Sequence, residues 1–220
     1  MKKYKTKVDI IYETLLHDIT NGKYKPGERL IISQISKMNE ISDIPVREAI
    51  RRLESEGYVQ LNANHGPVVS DFSPEHLNEI FQIKAVLEGY ASRLACDVLT
   101  EKDFKELREY NEELRRAAEG DDLKRCSQLN MEFHLRMYRD IPVQELVAMI
   151  EELWRKYSIT KMVFSLAPGR AANSIREHEE ILELLEQKKY VEVEAAVRAH
   201  KMLAGKKLED QLRSKIMIQE

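Results

Sequence analysis

The sequence predicts a mainly α chain in two parts: a small N-terminal domain of short helices closed by a β-hairpin, then an all-α helical bundle. Three observations lead there. Apolar residues recur at i, i+3, i+4 and i+7 through most of the chain, the period of one helical face. Only 8 Gly and 6 Pro interrupt 220 residues, and most of the Pro lies in the first half. Strand and turn signals stop after Asp71-Phe72-Ser73-Pro74, which divides the chain into residues 1–72 and 73–220.

The N-terminal elements follow in order. Val8, Ile11, Leu15 and Ile19 form one apolar face, and Asn21-Gly22 ends that helix. Lys25-Pro26-Gly27-Glu28 is a turn by residue type, followed by the short apolar run Arg29-Leu30-Ile31. Ser33 is a candidate cap for a small helix, Gln34 to Met38, packed by Ile35 and Met38. A third helix starts at Ser42 as N-cap, with Pro45 in its first turn, where the missing N–H is harmless. Val46, Ala49, Ile50 and Leu53 make its buried stripe, while Arg47 and Arg51, four residues apart, share a different face. Gly57 ends it. Tyr58–Leu61 and Pro67–Ser70 read as strands around the turn formers Asn62-Ala63-Asn64-His65-Gly66.

On its own, the third helix also reads as an ordinary amphipathic helix with a solvated basic face. Its flanks favour the alternative. Two short helices in tight succession, the arginine-bearing one second, have helix-turn-helix order, and the hairpin would be the wing of a winged helix. Residues 1–70 carry eleven Lys/Arg against nine Asp/Glu, whereas the whole chain has a net charge of -3, so the basic excess sits on this domain. Lys2, Lys3, Lys5 and Lys7 form a basic arm suited to a phosphate backbone, or a solvated start.

Cys96 and Cys126 show no CxxC spacing and fit buried thiols in a reducing cytoplasm. Asp9 and Glu13 interrupt any apolar signal segment, and no apolar run approaches the ~20 residues that span a bilayer.

From Glu75 the periodicity predicts six helices, at about 75–99, 101–119, 121–139, 143–166, 170–187 and 190–213. Thr100-Glu101-Lys102-Asp103 resembles a capping box, and Gly120, Asp140-Ile141-Pro142 and Ala167-Pro168-Gly169 are breaks. Three of the six histidines, His134, His178 and His200, fall here. Residue 189 is midway between His178 and His200 and lies in the turn near Lys188-Lys189. Both are therefore eleven residues from the turn, or roughly 16 Å along an antiparallel hairpin at ~1.5 Å per residue, and face each other at one height. Asn130 and His134 share a face at i, i+4. Three imidazoles and an amide oxygen suit a divalent metal ion with positions left open; packed bundle histidines are the other reading.

Pro26-Gly27-Glu28-Arg29-Leu30, Pro45 to Leu53, Glu56-Gly57 and Gly66 together resemble the N-terminal domain of GntR-type bacterial transcription regulators, over about residues 8–72. Where that family usually has Ser-Arg-Thr-Pro, this chain has Ser42-Asp43-Ile44-Pro45, so an acid and an aliphatic replace two residues that commonly face DNA. Asp43 is spaced to pair with Arg47. The resemblance implies that Ser42, Asp43, Ile44, Arg47 and Arg51 lie at the major groove, with His65 and Gly66 at the wing tip near the minor groove. Lys84-x3-Glu88, Asn130-x2-Phe133-His134, Glu177-His178-x2-Ile181 and Arg198-Ala199-His200 resemble the FCD effector-binding domain of the FadR subgroup, over residues 74–213. That resemblance implies a metal, zinc or else nickel or a similar transition metal, held by Asn130, His134, His178 and His200. It also implies a small organic acid as effector. Lys84 replaces the subgroup's usual Arg near that effector, and Tyr138, one turn beyond His134, is placed to donate to it or simply to pack. Trp154 reads as core or dimer contact.

The leading expectation is a cytoplasmic homodimeric regulator that binds a double-stranded DNA operator and is tuned by its ligand, with no membrane partner. The competing one is a metal-dependent enzyme using the histidine cluster. It lacks a well-placed base, since Glu132, Glu177 and Glu179 fall on other helical faces by spacing alone.

Overall fold

The computed structural model describes residues 5–20, 22–55, 57–62, 65–70, 74–156, 163–167 and 169–217. The chain divides into two compact units, one formed by residues 1–73 with 216–220 and one by 74–215.

In the first unit, α1 (Lys7–Thr20), α2 (Ile32–Met38) and α3 (Asp43–Ser55) precede the antiparallel hairpin of β1 (Val59–Asn62) and β2 (Gly66–Val69). Asp9 caps α1 by accepting from the Thr6 backbone N–H at 3.0 Å and from its hydroxyl at 2.7 Å. Ile11, Leu15 and Ile19 of α1, Ile35 of α2 and Val46, Ala49, Ile50 and Leu53 of α3 make one core with Leu30, Val59 and Val69. Arg52 leaves the other arginines of α3 and stacks on Tyr12 at 3.7 Å, its Nη1 donating to Asp9 Oδ1 at 3.3 Å, which ties α3 to α1. The hairpin register pairs Val59 with Val69 and Asn62 with Gly66. Residues 27–30 run alongside β2: Leu30 N–H donates to Pro67 O at 2.8 Å and Val69 N–H to Glu28 O at 2.9 Å.

Three expectations change here. The N-cap position of α2 is Ile31, without a side-chain cap, so Ser33 falls inside the helix. Met38 is 68% exposed and Ile32 packs against the core instead. Asp43 does not turn to Arg47: its Oδ1 accepts from the Ser36 hydroxyl at 2.6 Å, linking α2 to α3.

The second unit is all helical: α4 (Pro74–Ala95), α5 (Glu101–Glu119), α6 (Leu123–Tyr138), α7 (Gln144–Lys156), α8 (Val163–Leu166), α9 (Arg170–Glu186) and α10 (Tyr190–Met217). The helix expected over 143–166 is thus two elements, α7 and α8, with 157–162 outside the described residues. Thr100 and Asp103 form the expected capping box at α5. Phe104, Leu107, Phe133, Met137, Trp154, Ile181, Leu182, Val193 and Val197 belong to one core cluster. Two glycines set how closely α4 and α10 approach. A Cβ on Gly89 would come within 2.6 Å of Arg198 Cγ, and one on Gly205 within 2.6 Å of Phe81 Cβ.

Candidate DNA-reading surface and buried histidine centre

On α3 the apolar stripe faces inward, so the opposite face turns to solvent. Arg47 and Arg51 are exposed there, Ser42 is exposed just before the helix, and Ile44 is 70% exposed. His65 is exposed and Gly66 adopts φ +73 at the wing, a left-handed conformation that glycine takes without strain. Asn64, one of the turn formers before them, lies outside the described residues.

In the bundle, α6, α9 and α10 bring His134, His178 and His200 together. All three are buried, with a ligand atom from each lying within 4.8 Å of the others. Ring centroids are 5.0 Å apart for His134–His178 and His178–His200, and 4.9 Å for His134–His200. The second nitrogen of each ring has a partner. His178 Nδ1 lies 3.0 Å from Asn111 Oδ1, and Asn111 Nδ2 donates to Ile175 O at 3.1 Å, which orients the amide. His200 Nδ1 lies 2.6 Å from Glu177 Oε2. An amide oxygen and a carboxylate only accept, so both histidines carry their proton on Nδ1. His178 and His200 therefore each leave a lone pair on Nε2. The Tyr138 hydroxyl lies 3.4 Å from His134 Nδ1.

With the His200 proton on Nδ1, His134 Nε2 donates to His200 Nε2 across 3.0 Å, a proton that a metal ion would displace. His178 Nε2 and Asn130 Oδ1 are buried without a hydrogen-bond partner. Burial drives the titration of all three histidines well below the ordinary range, aided by Lys201 at His134 and His200 and by His200 at His178. Neutral imidazoles, a free amide oxygen and acceptors fixing Nδ1 of His178 and His200 are what a borderline divalent ion takes. The residues fit a metal ion.

Around this centre sits a layer of buried charge. Glu88 receives Lys84 Nζ at 2.9 Å and Lys201 Nζ at 2.7 Å. Burial opposes its ionisation, but Lys201 and then Lys84 outweigh that and hold its carboxyl below the ordinary range. Burial pulls Lys201 down to about 7 despite Glu88. Lys84 Nζ also lies 3.5 Å over the Trp154 ring. Arg170 is 3% exposed; its Nη2 donates to Glu177 and to His200 O, while Nε and Nη1 have no partner.

Of the expected effector residues, Tyr138 packs at His134, whereas Lys84 is engaged by Glu88 and Trp154. Glu177 is not on a remote face: its side chain reaches from α9 to His200 on α10. Sequence reading missed Arg170, Asn111 and Lys201. Asn111 did leave a signal, a polar residue within the buried stripe Leu107–Asn111–Leu114. Trp154 is a core residue.

Comparison with known proteins agrees with both halves. Residues 7–69 match the model described as "Bacterial regulatory proteins, gntR family", and residues 79–202 match the FCD domain. The chain belongs to the GntR family. Within it, the HTH-type transcriptional regulator McbR of Escherichia coli is 35% identical over 140 residues, 64% of this chain and 63% of McbR. The regulator YdhC of Bacillus subtilis is 28% identical over 86% of this chain and 85% of its own length. The solved structure of E. coli McbR/YncC superposes with a TM-score of 0.56 at 27% identity, covering 98% of each chain. This GntR-family chain is a DNA-binding transcription regulator, and the enzyme reading is set aside. No helix among the described residues is long and apolar enough to cross a membrane.

Proposed function

We propose that this regulator works in the cytoplasm as a homodimer whose operator affinity is set by a small organic acid bound beside a metal ion in the helical bundle. The observation that supports the metal is the meeting of His134, His178 and His200, a ligand atom of each within 4.8 Å of the others, while His178 Nε2 and Asn130 Oδ1 are buried without a partner. Asn130, His134, His178 and His200 would hold the ion, zinc first and nickel or another transition metal otherwise. When bound, the ion supplies a Lewis-acidic position for a carboxylate oxygen.

The chain's own residues would do the rest. Glu177, Asn111 and Tyr138 keep the imidazoles oriented. Arg170 presents two unpartnered nitrogens, Nε and Nη1, in the planar form that recognises carboxylates. Lys84 and Lys201, held by Glu88, keep the surroundings cationic. The coupling to DNA is a two-state equilibrium of the kind worth about 1–3 kcal/mol. On α4, Ile83, Val86 and Tyr90 are exposed at i, i+3 and i+7, an apolar stripe suited to a second copy.

The test is elemental analysis of protein purified with metals present, followed by operator binding before and after chelation. About one divalent ion per chain, and operator affinity that changes on its removal, support the reading. Metal-free protein with unchanged operator binding overturns it.

A further inference from the structure

Arg29 was not among the residues expected at DNA, yet it stands where a docked duplex must pass. A groove of about 320 Å³ runs between the wing and the start of α3, with Arg29, Gly66 and Pro67 on one side and Arg47 and Asp43 on the other. The main chain fixes Arg29 there. It is bridged antiparallel to Val68, and its neighbours Leu30 and Glu28 bond to Pro67 and Val69. Its guanidinium lies against the wing glycine: Nε is 3.8 Å and Nη2 3.9 Å from where a Cβ on Gly66 would stand. The guanidinium thus stands in ordinary van der Waals reach of the wing.

A protein that puts α3 in the major groove and its wing at the adjacent minor groove straddles the sugar–phosphate strand dividing the two. That strand has to cross between helix and wing, which is where this groove runs. It is walled by one arginine from each side. Its single carboxylate, Asp43, already accepts from the Ser36 hydroxyl. We propose that the groove seats a backbone phosphate and that Arg29 is a phosphate clamp working opposite Arg47. Such a contact sets position and affinity without reading sequence. It rests on the assignment of α3 as the recognition helix.

The test uses full-length protein and fluorescence anisotropy over a salt series, with one duplex of random sequence and one selected for tight binding. Arg29→Ala should lower the slope of log K against log salt by about one per engaged subunit, and weaken both duplexes alike. Arg29→Lys should keep the slope, because a point charge still meets a phosphate. Arg29→Gln, which preserves length and polarity, should behave as Arg29→Ala and guards against a folding defect. Asp43→Asn should tighten both duplexes. An unchanged slope in both neutral variants overturns the clamp. So does a loss confined to the selected duplex, which would make Arg29 a base reader. If Arg47→Ala lowers the slope while the Arg29 variants do not, the clamp alone fails. Wild-type protein without salt-dependent binding would overturn the recognition helix and the clamp together.

Discussion

Asn111 Oδ1 sits 3.0 Å from His178 Nδ1 and so decides which nitrogen of that ring faces the centre. Asn111 is itself held by Ile175 O, so the orientation of His178 is set from α5 before any ligand arrives. Asn111→Leu should weaken metal binding about 10–100-fold, the usual loss when a ligand histidine's outer partner is removed. Competition with a coloured chelator measures this, and wild-type affinity in the variant would show that α5 does not preorganise the centre.

Direct removal of a ligand is a harsher test. His178→Ala should lose most of the metal and lower the melting temperature, since an ion bound only by the folded state stabilises by mass action. His76→Ala, on α4 and outside the centre, should do neither. Identical behaviour of the two variants would make the cluster an ordinary packed core.

The pH dependence of the metal-free protein follows from the same burial. His134, His178 and His200 titrate well below their ordinary range when folded, while in the unfolded chain each takes up a proton near ~6.5. Stability is then fully present above ~6.5 and falls as pH drops below it, because the unfolded state binds protons that the folded state refuses. The loss should reach up to about 1.4 kcal/mol per histidine for each pH unit below ~6. Urea unfolding at pH 7.5, 6 and 5 checks this, and a flat profile would mean the histidines accept protons in place.

On the DNA face, Arg47→Ala should cost about 1–3 kcal/mol of specific binding if Arg47 reads a base, or about one unit of salt slope if it meets phosphate. Ile44, 70% exposed beside it, is an apolar group suited to a thymine methyl. Ile44→Ser should reduce the preference for thymine over uracil in a selected duplex. Equal preference in variant and wild type would leave Ile44 without a role in readout.

Assembly has its own test. The chain should sediment as a dimer at micromolar concentration, and Val86→Asp, placing a charge on the apolar stripe of α4, should shift it toward monomer. A wild-type monomer would place that stripe outside any self-association.

The order of the helices, the hairpin and the core stripes could be read in advance because each depends on local periodicity and turn chemistry. The meeting of His178 and His200 could be read as well, since a tight turn at Lys188-Lys189 converts equal sequence distance into equal height. The division into α7 and α8, on either side of residues outside the described ones, could not. Tyr157 to Met162 contains neither glycine nor proline, and the apolar pattern continues across it. Met38 and Ile32 were exchanged because a short helix offers too few turns to fix which side is buried. Glu177 was misjudged because spacing places Cα atoms, and a three-bond side chain can still cross from one helix to the next. Arg170 precedes His178 by eight residues and was hidden by a reading confined to i, i+3 and i+4 neighbours.

Trp154 is the sole tryptophan, its ring lies 6.2 Å from that of His134, and Lys84 stands over its face. Every photon of indole emission therefore originates beside the histidine centre, with no background from elsewhere in the chain. A quenching ion such as nickel or copper, or an anion that draws Lys84 away from the ring, would register in the untagged protein as a change of intensity or wavelength. Occupancy of the centre can thus be followed in the same cuvette as DNA binding, with the protein as its own gauge.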